Sequence, residues 1–131
     1  MNNNKRSTVM VADDYDEVRD ILKGWLEQHS FRVVEAKSGK EAVEVAKREH
    51  PELILMDLAM PEIDGFAAAF LIRAQKELQN IPIIGISAFG ELGIDAQLKV
   101  DPQAVGFTDY LPKPFAPQKL LALVNRYLPS V

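Results

Sequence analysis

Five polar side chains stand where short apolar runs of the chain stop. Asp13 and Asp14 follow Val9-Met10-Val11-Ala12, and Asp57 follows Leu53-Ile54-Leu55-Met56. Ser87 closes the run 81–86, and Lys113 stands just past the run 107–111. Singly, each has an ordinary reading. An aspartate or serine there can cap the helix that follows, and a lysine can be a solvated surface charge. Together they offer three carboxylates, a hydroxyl and an ammonium. Carboxylates gathered without a partner repel one another and are driven towards protonation. A hard divalent cation relieves this, and Mg2+ suits a site of one or two carboxylates that keeps waters and adds phosphate oxygens. With Lys113 as a fixed positive charge on the other flank, the set is suited to receiving a phosphoryl group on one carboxylate. That chemistry requires the four segments to meet.

The hydrophobic pattern supplies the elements that would bring them together. Between 16 and 29, Val18, Ile21, Leu22, Trp25 and Leu26 recur with the spacing of one helix face. The stretch 31–36 returns to a strand. Ser38, with Glu41 three residues on, has the capping-box arrangement, and Ala42, Val43 and Ala46 form the inner face of the helix it opens. A third helix runs from Asp64 into the 70s with Phe66, Ala69 and Phe70 inward. Strands follow at 81–86 and, after Gly106, at 107–111, with a helical stretch between them. Pro117 fits the first turn of a last helix, whose stripe is Leu120, Leu121, Val124 and Leu128.

Strands and helices thus alternate strictly. Continuous Val/Ile/Leu runs mark strands buried on both faces, as in parallel sheets, and right-handed crossovers place helices on both sides. The expected fold is α/β, a flavodoxin-like, doubly wound, five-stranded parallel sheet of order 2-1-3-4-5 with five helices. Ligands bind such sheets beyond the carboxyl ends of the strands, where the order reverses, here between the first and third strands. Asp13, Asp14 and Asp57 fall there. The second strand, an outer one, contributes only Glu35.

Composition narrows the field further. The 131 residues, 47% hydrophobic and 26% charged, have the proportions of one ordinary domain. We expect a disordered segment 1–7 followed by a domain over 8–131. Fifteen basic against nineteen acidic residues leave a net charge of −4, which argues against a direct nucleic-acid grip. The chain has no cysteine, which excludes disulfides, thiolate metal sites and cysteine nucleophiles. No apolar segment approaches the roughly 20 residues needed to span a bilayer, and the start has no signal-peptide core. A cytoplasmic protein without a membrane partner is the expectation. His29 and His50 sit near helix C-termini, where the dipole favours them, and Trp25 lies on an apolar stripe.

The stretches VADDYDEVRDIL, ILMDLAMPEIDG, IIGISA and DYLPKPF, one per strand end and in order, make the chain resemble the receiver domain of two-component response regulators, of the stand-alone type. The resemblance implies that Asp57 is the phosphoacceptor, attacking the phosphorus of a phosphohistidine on a partner to give an aspartyl phosphate. It implies Mg2+ held by Asp14, Asp57 and the backbone carbonyl of Ala59, with Asp13 acting through water. Ser87 corresponds to the switch hydroxyl and Tyr110 to the switch aromatic. Lys113 corresponds to the ion-pairing lysine, and the Lys113–Pro114 bond is cis in that family. The implied partners are a histidine kinase or histidine phosphotransfer protein and a downstream protein target. The resemblance thus implies a phosphoacceptor in a phosphorelay and not an enzyme in its own right.

Two departures from the family pattern stand out. The stretch between Ser87 and Lys113 is a few residues longer and carries Gly93 and Pro102. A proline inside a helix costs about 3 kcal/mol, so the fourth helix is expected to be kinked or split, with a turn at Asp101-Pro102. Ala59 and Phe89, two residues after Asp57 and Ser87, are apolar where many receivers are polar, and slow self-dephosphorylation is the expectation. Rival readings fare worse. An aspartyl-phosphate hydrolase of haloacid-dehalogenase type needs a second aspartate where Ala59 stands. A flavodoxin-like electron carrier needs a neutral phosphate loop where DDYDE stands. A degenerate receiver serving as an interaction scaffold would not need its intact acidic set.

Overall fold

The computed structural model describes residues 6–60, 63–87 and 106–128. Its elements are β1 (Thr8–Ala12), α1 (Asp16–Glu27), β2 (Arg32–Ala36), α2 (Gly39–Glu49), β3 (Leu53–Asp57) and α3 (Gly65–Arg73). A 3-10 turn (Lys76–Leu78), β4 (Ile83–Ser87), β5 (Asp109–Pro112) and α4 (Pro117–Tyr127) follow. All the strand pairs are parallel and the sheet order is β2-β1-β3-β4-β5, as the apolar runs predicted. Four of the five expected helices lie among the described residues. The positions where a kinked fourth helix and a turn at Pro102 were expected, and Phe89, fall within 88–105, and most of the expected disordered segment falls within 1–5, outside the described residues. Ser7, expected in that disordered segment, is tied to the sheet: its carbonyl accepts from the Arg32 N–H at 2.9 Å.

Side chains alternate between the faces of each strand, which gives the sheet two cores. Met10, Ala12, Ile54 and Met56 pack beneath α2 and α3, and Val9, Val11, Leu53 and Leu55 beneath α1 and α4. Register fixes the rim. Ala12 pairs with Met56 on β3 and Ala36 on β2, so the residues after Ala12 and Met56, Asp13 and Asp57, come level at the carboxyl edge.

Two of the helices, α2 and α3, begin where a side chain satisfies one of their free N–H groups. Ser38 Oγ accepts from Glu41 N at 3.0 Å, and Glu41 Oε1 reaches back to the N–H of Lys37 at 2.8 Å, one residue before the cap. Asp64 Oδ1 accepts from Ala67 N at 2.9 Å and caps α3. Capping by Asp13 or Asp14, the ordinary reading of those residues, does not occur: α1 is capped by Tyr15 with no side-chain bond.

Two expected inward residues point out. Phe70 is 72% exposed and Ile21 52%. In α3 the buried positions are Gly65, Ala68, Ala69 and Ile72, one helix stripe of mostly small residues that brings the backbone close to the sheet. Phe70, one position past Ala69, is rotated away by about 100°. Phe66 stays at the stripe's edge, edge-on to Phe107 at 5.4 Å between centroids. Gly106 takes φ +94, open to a residue without Cβ, and turns the chain into β5. Arg73 braces that turn. Its guanidinium donates to the carbonyls of Leu78, Gln79, Ile81 and Gly106 and to Thr108 Oγ1, and its burial lowers its pKa.

Candidate metal centre at the sheet's carboxyl edge

The ends of β1 and β3 bring Asp13, Asp14 and Asp57 together: one carboxylate oxygen from each lies within 4.8 Å of the others. Asp13 and Asp57 are buried and Asp14 is half-buried. Asp13 Oδ1 accepts from Tyr15 N at 2.9 Å, and Asp57 Oδ1 from Ala59 N at 3.1 Å. These turns leave the other oxygens facing the cluster. Asp13 Oδ2 and Asp14 Oδ1 are buried with no hydrogen-bond partner among the described residues. Buried acceptors of that kind cost free energy unless something meets them.

Lys113 comes from the end of β5. Its Nζ lies 3.7 Å from Asp13 Oδ2 and 3.9 Å from Asp57 Oδ2, close enough for charge attraction but too long for a good hydrogen bond. The Lys113–Pro114 peptide is cis, as the resemblance implies. Ser87 is fully buried at the end of β4, its Oγ also without a hydrogen-bond partner among the described residues. Its carbonyl accepts from Lys113 N at 2.7 Å, which ties the end of β4 to that of β5. Gly65 lets α3 start against the end of β3, since a Cβ there would lie 2.5 Å from the Asp57 carbonyl oxygen.

Two features at this edge have no sequence signature. The first is Arg19 on α1, whose Nη1 donates to the Asp13 carbonyl at 2.8 Å and whose Nε meets Glu35 Oε1 at 3.3 Å, while Nη2 pairs with Asp16. Glu35, singled out on the outer strand, serves Arg19 and Lys23 and is not part of the acidic cluster. The second is Gly85 on β4, directly opposite Tyr110 on β5. A Cβ at 85 would lie 2.9 Å from two ring carbons of Tyr110 and 3.1 Å from Leu58 Cδ2. The half-buried Tyr110 ring therefore covers the bare glycine, 5.3 Å from the Phe107 ring.

The arrangement agrees with known proteins. Residues 9–125 match the family model of the response regulator receiver domain. The chain belongs to that family. This receiver domain is 36% identical over 122 residues to an uncharacterised 14.6 kDa protein of Leptolyngbya boryana, covering 91% of this chain and 88% of that one. It is 37% identical over 120 residues to the transcriptional regulatory protein SrrA of Staphylococcus aureus, covering 92% of this chain. It spans only 47% of SrrA's length. Among solved structures, it superposes with a TM-score of 0.84 on the receiver domain of the sensor histidine kinase PA1611 of Pseudomonas aeruginosa, at 29% identity over 96% of this chain and 100% of that one. In that structure a magnesium ion is coordinated in the active-site cleft. The chemotaxis protein CheY4 of Vibrio cholerae aligns at a TM-score of 0.81 and 27% identity, over 94% of this chain and 99% of that one. The fold and the two-component signalling family are those expected from the strand-end motifs. Among the described residues no helix is long and apolar enough to cross a membrane.

Proposed function

We propose that the domain, over residues 8–131, is a phosphorylation-controlled switch. Asp57 accepts a phosphoryl group from a phosphohistidine on a histidine kinase or histidine phosphotransfer protein in the cytoplasm. The observation that carries this reading is the meeting of three carboxylate oxygens within 4.8 Å beside the Lys113 ammonium. The residues fit Mg2+: oxygen donors only, and two buried acceptors without hydrogen-bond partners among the described residues. Asp14, Asp57 and the Ala59 carbonyl would hold the ion, with Asp13 acting through water. Bound there, Mg2+ would supply charge neutralisation for a phosphoryl group.

An Asp57 carboxylate oxygen attacks phosphorus, the new P–O bond forms as the P–N bond breaks, and the histidine nitrogen leaves with the bonding pair. Lys113 stabilises the charge that builds on the phosphoryl oxygens. Ser87 Oγ donates to one of those oxygens once the group is in place, and Tyr110 follows it inward. The domain acts as a phosphoacceptor that signals through a downstream protein, not as an enzyme with its own turnover. A swing from mostly inactive to mostly active needs about 5.5 kcal/mol of preference for the active form, within reach of a few charge-assisted hydrogen bonds.

Incubation with a small phosphodonor and Mg2+, followed by intact-mass measurement, tests the reading. The wild type should gain one phosphoryl group and Asp57→Asn none. No gain in the wild type overturns it and leaves an interaction scaffold. With apolar Ala59 beside the acceptor, the phosphoryl group should persist, and Ala59→Asn should shorten its lifetime.

A further inference from the structure

Arg19 takes no part in the chemistry proposed above, yet its guanidinium reaches the backbone that carries the acidic pair. The side chain is only 12% exposed. Burial disfavours its charge, but hydrogen bonds and charges from Asp16 and Glu35 outweigh that, so its pKa is raised and it is a fixed cation.

Its bond to Asp13 fills a gap in the sheet. Asp13 N donates to the Ala36 carbonyl at 3.0 Å, continuing the β1–β2 ladder one residue past Ala12. In a parallel ladder the carbonyl of such a residue points to the same neighbour and accepts from it in turn. β2 ends at Ala36, and the donor comes from Arg19 Nη1 at 2.8 Å. Asp13 is thereby held through its N–H by β2 and through its carbonyl, the acceptor of the Asp13–Asp14 peptide, by α1. Nε and Nη2, anchored on Glu35 and Asp16, keep the guanidinium from swinging away.

We infer that Arg19 is a positioning residue for the divalent cation: by fixing the Asp13 carbonyl it holds the peptide from which the Asp13 and Asp14 carboxylates turn towards Asp57. This rests on the reading that the acidic cluster binds Mg2+. Two effects of Arg19 on that ion have opposite signs. As a nearby positive charge it repels a dication, an effect blunted by Asp16 and Glu35, and as a brace it prepares the ligands. Removing the side chain therefore tightens Mg2+ binding if charge dominates and weakens it if positioning dominates.

Calorimetric titration of Mg2+ into the wild type, Arg19→Met, Arg19→Lys and Arg48→Met decides the matter, with urea unfolding of each in EDTA. Arg48 is a surface residue paired with Glu49 on α2, and its loss removes one charge without touching the Asp13 turn. Arg19→Met should raise the Mg2+ Kd about tenfold, the lower end of what losing a ligand-orienting group costs. Arg19→Lys, which loses the fork but keeps the charge that repels the ion, should raise it at least as much, and Arg48→Met should leave it unchanged. An unchanged or tighter Kd in Arg19→Met overturns the inference, as does a lowered urea midpoint with an unmoved Kd. Should Arg19→Met fail to fold, Arg19→Lys decides alone, and an unmoved Kd there overturns the inference. A wild type that takes up no Mg2+ overturns the reading of the site itself, an outcome distinct from equal binding by wild type and variants.

Discussion

Asp14→Asn should make the domain more stable when no divalent cation is present. Asp14 faces two carboxylates whose oxygens lie within 4.8 Å of its own. At an effective dielectric of about 20, each such pair repels by at least about 3.5 kcal/mol, or about 7 for the two. Lys113 pairs with Asp13 and Asp57 but comes no closer than 4 Å to Asp14, so its attraction there is below about 4 kcal/mol. The difference is about 3 kcal/mol. Asp14 is half-buried and Lys113 is 30% exposed, so water and salt reduce that to about 1–3 kcal/mol. Thermal unfolding in EDTA should show Asp14→Asn melting higher, by roughly 3–5 °C per kcal/mol at this chain length. Added Mg2+ should narrow that difference. At tenfold above its Kd the ion stabilises the wild type by about 1.4 kcal/mol, and the variant, lacking a ligand, should gain little. An Asn variant equal to or weaker than the wild type in EDTA would refute the repulsion argument. So would one that still gains fully from Mg2+.

Lys113→Met removes the ammonium beside Asp57 and should slow phosphorylation by a small donor about a hundredfold, measured by intact mass against time, while leaving the domain folded. Gly85→Ala forces a methyl against the Tyr110 ring and Leu58, and should cost about 1–3 kcal/mol in urea unfolding. Adding Tyr110→Ala should recover part of that loss, and purely additive costs would show that the ring is not what the methyl meets. Tyr127 donates to Asp109 Oδ2 at 2.9 Å; burial first, and that carboxylate second, raise its phenol pKa above the ordinary value. A raised folded pKa contributes stability that is whole below the unfolded value of about 10 and lost as pH climbs through the folded one. Tyr127→Phe should therefore flatten the alkaline limb of a stability-against-pH profile, and an unchanged limb would count against the assignment.

The sheet order and the acidic edge were legible because both depend on features a linear pattern carries. Unbroken apolar runs mark strands covered on both sides, and a strand that ends in an aspartate must present it at the rim. Helix rotation is not carried that way. The pattern around Phe70 and Ile21 permits several apolar stripes, and packing against the sheet selected the one built on Ala68, Ala69 and Ile72. Arg19 and Gly85 were invisible for a related reason. Arg19 acts on a backbone carbonyl, which every residue has, and Gly85 matters because of a ring on the neighbouring strand. The cap roles open to Asp13 and Asp14 were not taken up, because Asp13 accepts from the N–H of Tyr15, ahead of the helix, and Tyr15 itself occupies the cap position of α1.

The β1–β3 ladder, with Ala12 level with Met56, has an implication for what this gene can tolerate. Loss or gain of one codon inside either strand shifts the pairing by a single step. Every side chain of that strand then changes faces, and an aspartate is drawn back into the ladder or pushed out beyond it. Length variation is thus confined to the connections, and the spacing between an acid and its own strand is inherited as a unit.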